Sequence, residues 1–385
     1  MRSFSVSALA AGLLAAFVGF ASTFAVVLRG LVAAGASPQE AASGLMAISI
    51  AMGLCAIVLS LRLKMPISVV WSTPGAALLA ASAAPEGGFA AAVGAFMACA
   101  LLLVAAGSWP PLAQLVARIP APLANAMLAG ILLPLCLAPV KAVAQAPALG
   151  LPVVLVWALV ARVRRLYAVP AAVLVVAAII AAQAGTASIA AADWWPHPVF
   201  TMPVFSGAAL VGVALPLFVV TMASQNIPGM AVLAVNGYRP APGPLFRATG
   251  LFGLLAAPFG SHAVNLAAIT AALCAGPDAH PDPARRYWAA AAMGAANVVL
   301  GLMAGAATSF VAASPPLLIE AVAGLALLGA FGGALLGAVA DPADREAAVV
   351  TFAVAASGLT ILGIGAAFWG LLAGGAIMAL GRWRP

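Results

Sequence analysis

Apolar runs broken by short clusters of proline, glycine and charge make up the chain from end to end. The runs at 8–28, 41–61, 66–83, 88–107, 121–138, 151–163 and 167–183 predict seven helical segments in the first half. Those at 207–235, 244–258, 261–276, 287–311, 316–338, 345–361 and 365–381 predict seven more. Several fall short of the ~20 residues that a full bilayer crossing needs. The last division is the least marked, because 345–381 is nearly continuous. Between the fourth and fifth runs, 112–119 with Arg118 reads as an interfacial amphipathic turn. The start, 1–25, imitates a signal peptide, but the run 8–28 is long for one and suits a full span.

Composition sets the solvent. Hydrophobic residues are 65% of the chain and charged residues 6%, against about 25% charged in soluble domains. So few charges cannot cover a water-facing surface, and lipid must bathe most of the exterior. The net charge of +7 does not point to nucleic acid, because no basic face is interleaved with aromatics. Basic residues in membrane proteins collect in cytoplasmic loops. With the N-terminus inside, the inside segments hold Arg2, Arg62, Lys64, Arg118, Arg162, Arg164, Arg165, Arg239, Arg247, Arg285, Arg286, Arg345, Arg382 and Arg384. The outside segments hold Arg29 and Lys141. That bias predicts an even number of spans, both termini cytoplasmic, in a bacterial-type inner membrane. Cys55, Cys99, Cys136 and Cys274 lie in apolar stretches without metal-ligand spacing, and read as buried small hydrophobes.

The longest polar insertion, 186–203, carries Asp193, Trp194, Trp195 and His197, and divides the chain into two sets of seven. Paired tryptophans there read as interfacial anchors. A repeated half with an odd number of spans must be inverted, a recurrent plan of transporters. The predicted fold is therefore an all-α polytopic membrane protein of 14 transmembrane segments in two inverted seven-span repeats, 1–185 and 204–385.

The third span of each half is irregular. In the first, Ser68 to Trp71 favours extended backbone, Ser72 and Thr73 are good N-caps, and Pro74 stands where the first helical residue would be. In the second, His262 to Val264 can be extended, and Asn265 is a candidate N-cap for an Ala/Leu run. Both read as short strands leading into half-helices in spans 3 and 10. One such segment alone fits a proline-kinked helix equally well; the matched pair favours a cavity, because irregular backbone at membrane depth must be buried or line one. A half-helix N-terminus offers free N–H groups and partial positive charge, which suits an anion such as a carboxylate.

Other polar groups are few. Ser224, Gln225 and Asn226 are consecutive in span 8, above Pro228 and Gly229, and read as ligand contacts or as interhelical glue. Phe20, Ser22 and Thr23 in span 1 are further candidates, although such hydroxyls usually bond their own helix. Of nine acids, only Glu320 falls within a span, where it reads as snorkelling to the outer interface. His262 is the one histidine expected at membrane depth; it reads either as a proton carrier or as a neutral hydrogen-bonding side chain. His280 to Arg286 reads as a loop or cap, not a metal site.

The stretches Val70-Trp71-Ser72-Thr73-Pro74-Gly75-Ala76-Ala77-Leu78, Ala126-Met127-Leu128-Ala129-Gly130-Ile131-Leu132, 214–229, 265–286 and 344–375 resemble the benzoate:proton symporter (BenE) family, in order and over nearly the whole length. That family looks like part of the wider seven-plus-seven inverted-repeat group that includes the uracil/proton symporter. The resemblance implies a core domain from 1–107 and 204–311, a gate domain from 108–185 and 312–385, and substrate between the half-helices. It also admits a homodimer; Gly332-Gly333 and Gly374-Gly375 permit close helix contact without specifying a partner. Uracil-type relatives carry carboxylates in spans 8 and 10. The corresponding positions here are Gln225 and Val264, which suits an anionic substrate and removes the obvious proton carrier.

The expectation is a secondary active transporter coupling proton entry to uptake of benzoate or a similar aromatic carboxylate. The alternative is a nucleobase or another small anion in the same fold. Candidate substrate-binding residues are Phe20, Ser22, Trp71, Ser72, Thr73, Gly75, Ser224, Gln225, Asn226, His262 and Asn265, with His262 the proton-coupling candidate. No cofactor, metal or nucleic acid is expected; the partners are substrate, proton and lipid. An enzyme would need catalytic groups at depth that the sequence does not offer.

Overall fold

The computed structural model describes residues 5–109, 111, 112, 114, 119–184, 195–267, 270–361 and 364–382. Arg2, Arg118 with most of its turn, Asp193, Trp194 and Arg384 lie outside them. In chain order the elements are α1 (Val6–Ala33), α2 (Pro38–Leu63), β1 (Val69–Trp71), α3 (Thr73–Ala81), α4 (Gly88–Ser108), α5 (Ala121–Cys136), α6 (Ala138–Gln145), α7 (Pro147–Arg164) and α8 (Ala168–Ala184). Then follow α9 (Gly207–Val235), α10 (Pro242–Ala256), β2 (Val264–Leu266), α11 (Thr270–Ala275), α12 (Tyr287–Leu302), α13 (Ala304–Ala313), α14 (Pro316–Val339) and α15 (Arg345–Ala356). A hairpin of β3 (Thr360–Ile361) and β4 (Ile364–Gly365) leads into α16 (Ala366–Arg382).

Among the described residues, seven helical stretches are long and apolar enough to cross a membrane, or eight if the pair Pro283–Leu302 and Ala304–Ala313, bent by 56°, is one span. One of the seven, Pro147–Ala182, runs for 36 residues, which at ~1.5 Å per residue exceeds a ~30 Å hydrocarbon core. Arg164 leaves helical conformation (φ −147°, ψ 89°), and α8 packs back on α7. The stretch is thus two helices meeting at a three-residue 3-10 turn, Arg165–Tyr167.

Local chemistry explains the element ends. Ser37 opens α2 with a reciprocal capping box to Glu40. α9 contains two π-helical segments, Leu210–Ala214 and Met222–Asn226. Each stands just ahead of a proline, Pro216 or Pro228. A proline ring clashes with the carbonyl four residues back and donates no hydrogen bond, so the helix widens there instead of breaking. Beyond α11, buried Arg286 donates to the carbonyls of Ala275 (2.9 Å) and His280 (2.7 Å). It thereby satisfies the C-terminus of α11 with a cation. The His280–Arg286 segment is a loop in which Asp282 caps a 3-10 turn.

The helices pack as two groups. α2 lies on α12, α4 on α10, and α1 against α3 and α12. α5 lies on α14 and α15, α15 on α16, and α7 on α8. The groups meet where α1 touches α14 and α8 and where α3 touches α5. All four cysteines are buried and free.

Candidate functional site

The site grows from a two-stranded antiparallel ribbon inside the helix bundle. Val69 pairs with Leu266, Val70 with Asn265 and Trp71 with Val264. Two further bonds, Ser72 N–H to Ala263 O and Ala267 N–H to Ser68 O (both 2.9 Å), lengthen it. Two broken spans can thus satisfy each other's backbone where no water is available. A third span closes the ribbon: Leu266 N–H donates to Asn226 Oδ1 at 2.9 Å. The π-segment turns this buried amide toward β2. Removing it in Asn226→Ala orphans a buried N–H, so thermal melting in detergent should show a loss of about 1–3 kcal/mol. A wild-type midpoint would show that the bond contributes nothing.

β1 feeds α3 directly. Ser72 is the N-cap, its Oγ accepting from Gly75 N–H at 3.1 Å and from Thr221 Oγ1 at 3.0 Å. Pro74 is consequently the second helical residue, not the first. Asn265 is not an N-cap: it sits in β2, its Nδ2 donates to Leu266 O, and the described part of α11 begins at Thr270. The β-branched Val264 and the pairing with β1 extend the backbone through this position.

Between the two helix groups lies a cavity of about 450 Å³, within the range of small-molecule sites. Phe20, Ser22, Trp71, Thr73 and Gln225 line it, with Thr23, Pro74 and Thr270. Trp71 is its best-fixed wall. The indole Nε1 donates to Thr23 Oγ1 at 2.9 Å, Thr23 donates to Gly19 O, and the ring meets Phe20 at 5.4 Å between centroids. Ser72, Gly75, Ser224, Asn226, His262 and Asn265 lie outside the wall. Ser224 returns a bond to Val220 O. Gly75 faces Leu217 and the Ser72 hydroxyl, where a Cβ would come within 2.5 Å of Leu217 Cδ1. His262 is buried behind the cap, with Nε2 3.1 Å from Ser72 O and its ring edge-on to Phe96. Sequence reasoning missed Asn297 of α12, on the same side as Trp71, and Trp157, Arg165 and the α14 segment at 325–330, which supply the opposite wall. Nothing in the uniformly apolar 325–330 segment marks the face that meets a cavity, whereas Asn297, a lone amide in an apolar run, was a signal that could have been read.

The cavity's α1 wall runs from Ala15 to Thr23. Just beyond, Phe24 packs on Phe310 at 6.2 Å, and Arg29 forms an ion pair with Glu320 of α14. Glu320 therefore pairs across the two helix groups instead of snorkelling. Both partners are about one-third exposed, so the pair contributes about 0–1 kcal/mol. It fixes which ends of α1 and α14 adjoin more than it holds them together. Among the described residues no cluster of His, Cys, Asp or Glu could hold a metal.

The fold is similar to the transmembrane domain of a cyanobacterium bicarbonate transporter, BicA, at a TM-score of 0.62 and 16% identity, covering 92% of this chain and 99% of that one. It is equally similar to murine Solute Carrier 26 family member A9, an anion transporter in the inward-facing state (TM-score 0.62, 15% identity, 99% of this chain and 68% of that one). At these identities the likeness speaks for the fold alone. The class is a multi-pass membrane transporter, not an enzyme. Residues 2–380 match the family described as "Benzoate membrane transport protein", and the chain belongs to that family, BenE. It is 42% identical to "Inner membrane protein YdcO" of Escherichia coli (strain K12), over 97% of this chain and 96% of that protein. It is 32% identical to the "Benzoate membrane transport protein" of Acinetobacter baylyi, over 97% and 94%.

Proposed function

We propose that the protein is a secondary active transporter of the inner membrane, with both termini cytoplasmic, that takes up benzoate or a similar aromatic carboxylate together with a proton. The observation that carries this reading is the cavity walled by Phe20 and Trp71 at the first turn of α3, which Thr73 and Pro74 contribute. The aromatic walls suit a ring, and the helix start suits a negative charge. Gln225 faces the cavity where nucleobase-type relatives are expected to carry an acid, so no carboxylate repels an anion.

The further architecture follows as part of the reading: fourteen spans in two inverted repeats, 1–185 and 204–385. Its support is a symmetry in the packing. α2 of the first half meets α12 of the second, and α10 of the second meets α4 of the first. Likewise α15 meets α5 and α14 meets α7. Exchanging corresponding spans maps one contact onto the other, as a twofold axis between repeats requires. The group of α1–α4 and α9–α13 then acts as the core domain, and that of α5–α8 and α14–α16 as the gate. Alternating access parts Arg29 from Glu320 as the core moves against the gate. His262 stays the proton-coupling candidate, acting through the Ser72 cap it touches and not through substrate contact.

The test is uptake of labelled benzoate into proteoliposomes, with and without an inward proton gradient. Gradient-driven accumulation is expected, and His262→Gln is expected to retain binding while losing dependence on the gradient. Folded protein that moves no benzoate would remove the substrate assignment. Wild-type coupling in the variant would clear His262. A second reading is another small anion in the same fold, which the helix start at the cavity suits equally. Competition of benzoate uptake by bicarbonate separates the two.

A further inference from the structure

We infer that Arg165 binds the carboxylate of the transported acid. The inference rests on the proposed reading that an aromatic carboxylate occupies the central cavity, and it assigns that anion's cationic partner.

The argument starts from what the broken span lacks. Of the first-turn donors of α3, Gly75 N–H is taken by Ser72 Oγ and Ala76 N–H by Ser72 O. Pro74 has no N–H. The half-helix therefore offers an anion its dipole and the N–H of Thr73, a modest attraction for a group leaving water. The side chains near it, Ser22, Thr23, Gln225 and Thr270, are all neutral. Thr270 is nine-tenths buried and its Oγ1 has no hydrogen-bond partner among the described residues.

Arg165 supplies the missing charge. It opens the 3-10 turn between α7 and α8, and among the described residues it is the one charged residue in the cavity wall. Arg162, Arg164 and Arg165 are all exposed, but of the three only Arg165 lines the cavity wall. Arg162 and Arg164 suffice for the C-terminal dipole of α7 and for a cytoplasmic charge bias; Arg165 also reaches the cavity. Its Nη2 lies against α14 at Gly329, 3.3 Å from where a Cβ would stand. The glycine leaves room for the guanidinium at the cavity. Among the described residues Arg165 makes no ion pair or side-chain hydrogen bond; the ion pairs there are Arg29–Glu320 and Arg285–Asp282. A guanidinium so placed presents a planar fork matched to a carboxylate.

The test compares wild type, Arg165→Gln and Arg165→Lys in proteoliposomes, with benzamide as an uncharged competitor. Removing the cation is expected to raise KM for benzoate about tenfold with Vmax within about twofold. Lysine is expected to recover most of the loss. Wild-type KM is expected to rise as salt increases from about 20 to 200 mM, and that of Arg165→Gln to stay flat. Discrimination against benzamide is expected to shrink in the glutamine variant alone. An arginine that only anchors the turn would change Vmax or yield and none of these. Unchanged KM and unchanged discrimination would overturn the inference while the transport reading stands. If folded wild type moves no benzoate, the transport reading fails, and thermal stabilisation by benzoate, bicarbonate and chloride decides about Arg165. Stabilisation of wild type and not of Arg165→Gln then supports an anion site there, and equal or absent stabilisation overturns it.

Discussion

Gly53→Val or Gly294→Val is expected to leave almost no folded protein in the membrane. α2 and α12 cross with these two glycines face to face. A Cβ on Gly53 would strike the carbonyl oxygen of Gly294, and one on Gly294 would come within 2.5 Å of the carbonyl oxygen of Gly53. The seam continues at Gly301, where a Cβ would meet Ser49 Cβ at 2.7 Å. On the other side of α12, a Cβ on Gly12 of α1 would strike the carbonyl oxygen of Ala289. Lipid gives two helices no hydrophobic reason to associate, so close packing of small residues carries the association. A valine methyl here meets backbone, which cannot rotate aside, and the two helices must separate along the seam. Overpacking alone costs about 1–3 kcal/mol, and the lost contacts add to it. The control is Gly333→Val in α14, where nothing among the described residues stands within 4 Å. Detergent-solubilised yield, size-exclusion profile and melting midpoint are expected to collapse for the first two variants and hold for the control. A Gly53→Val protein melting near wild type would show that the crossing is looser than described.

The break in the third span was readable because its punctuation is chemical: Ser72 caps, Pro74 cannot be capped from behind, and β-branched residues precede them. The matching segment at 261–276 lacks that punctuation. Val264-Asn265-Leu266 fits a cap followed by a helix as well as a strand, and only the partner strand decides it. The two π-segments of α9 leave no mark beyond their prolines. Charge counting assigns Arg162, Arg164 and Arg165 to one side of the membrane but carries no information about which of them turns toward a cavity. For the same reason Glu320 read as a solitary acid, since its partner Arg29 lies 291 positions away in the chain. Burial could be read for His262 and position could not: it stands one layer behind the cavity, on the Ser72 carbonyl.

Trp71→Ala is expected to abolish measurable benzoate binding, and Trp71→Phe to weaken it about tenfold with the fold intact. Trp71 is 3% exposed, so its loss removes a large buried ring, a change that costs about 3–5 kcal/mol in protein cores. Alanine therefore tests folding and function together. Phenylalanine keeps an aromatic surface beside Phe20 and loses only the indole N–H···Oγ1 bond to Thr23, about 0.5–1.5 kcal/mol. Thr23→Val is the complementary change. It keeps the indole and removes its acceptor, which leaves a buried donor unpaired at about 1–3 kcal/mol. If Trp71 matters only as bulk, Trp71→Phe binds almost normally and Thr23→Val is silent. If the bond to α1 sets the angle of the wall, both variants weaken binding, and the double variant is no worse than the weaker single one. Equilibrium binding of labelled benzoate to detergent-purified protein distinguishes these outcomes without requiring transport. The second pattern is expected, because β1 is held on one edge by β2 and its cavity-facing indole is tied to α1 through Thr23. A ligand packed against Trp71 then bears on the first helix and on the ribbon at once, and through the ribbon on both broken spans.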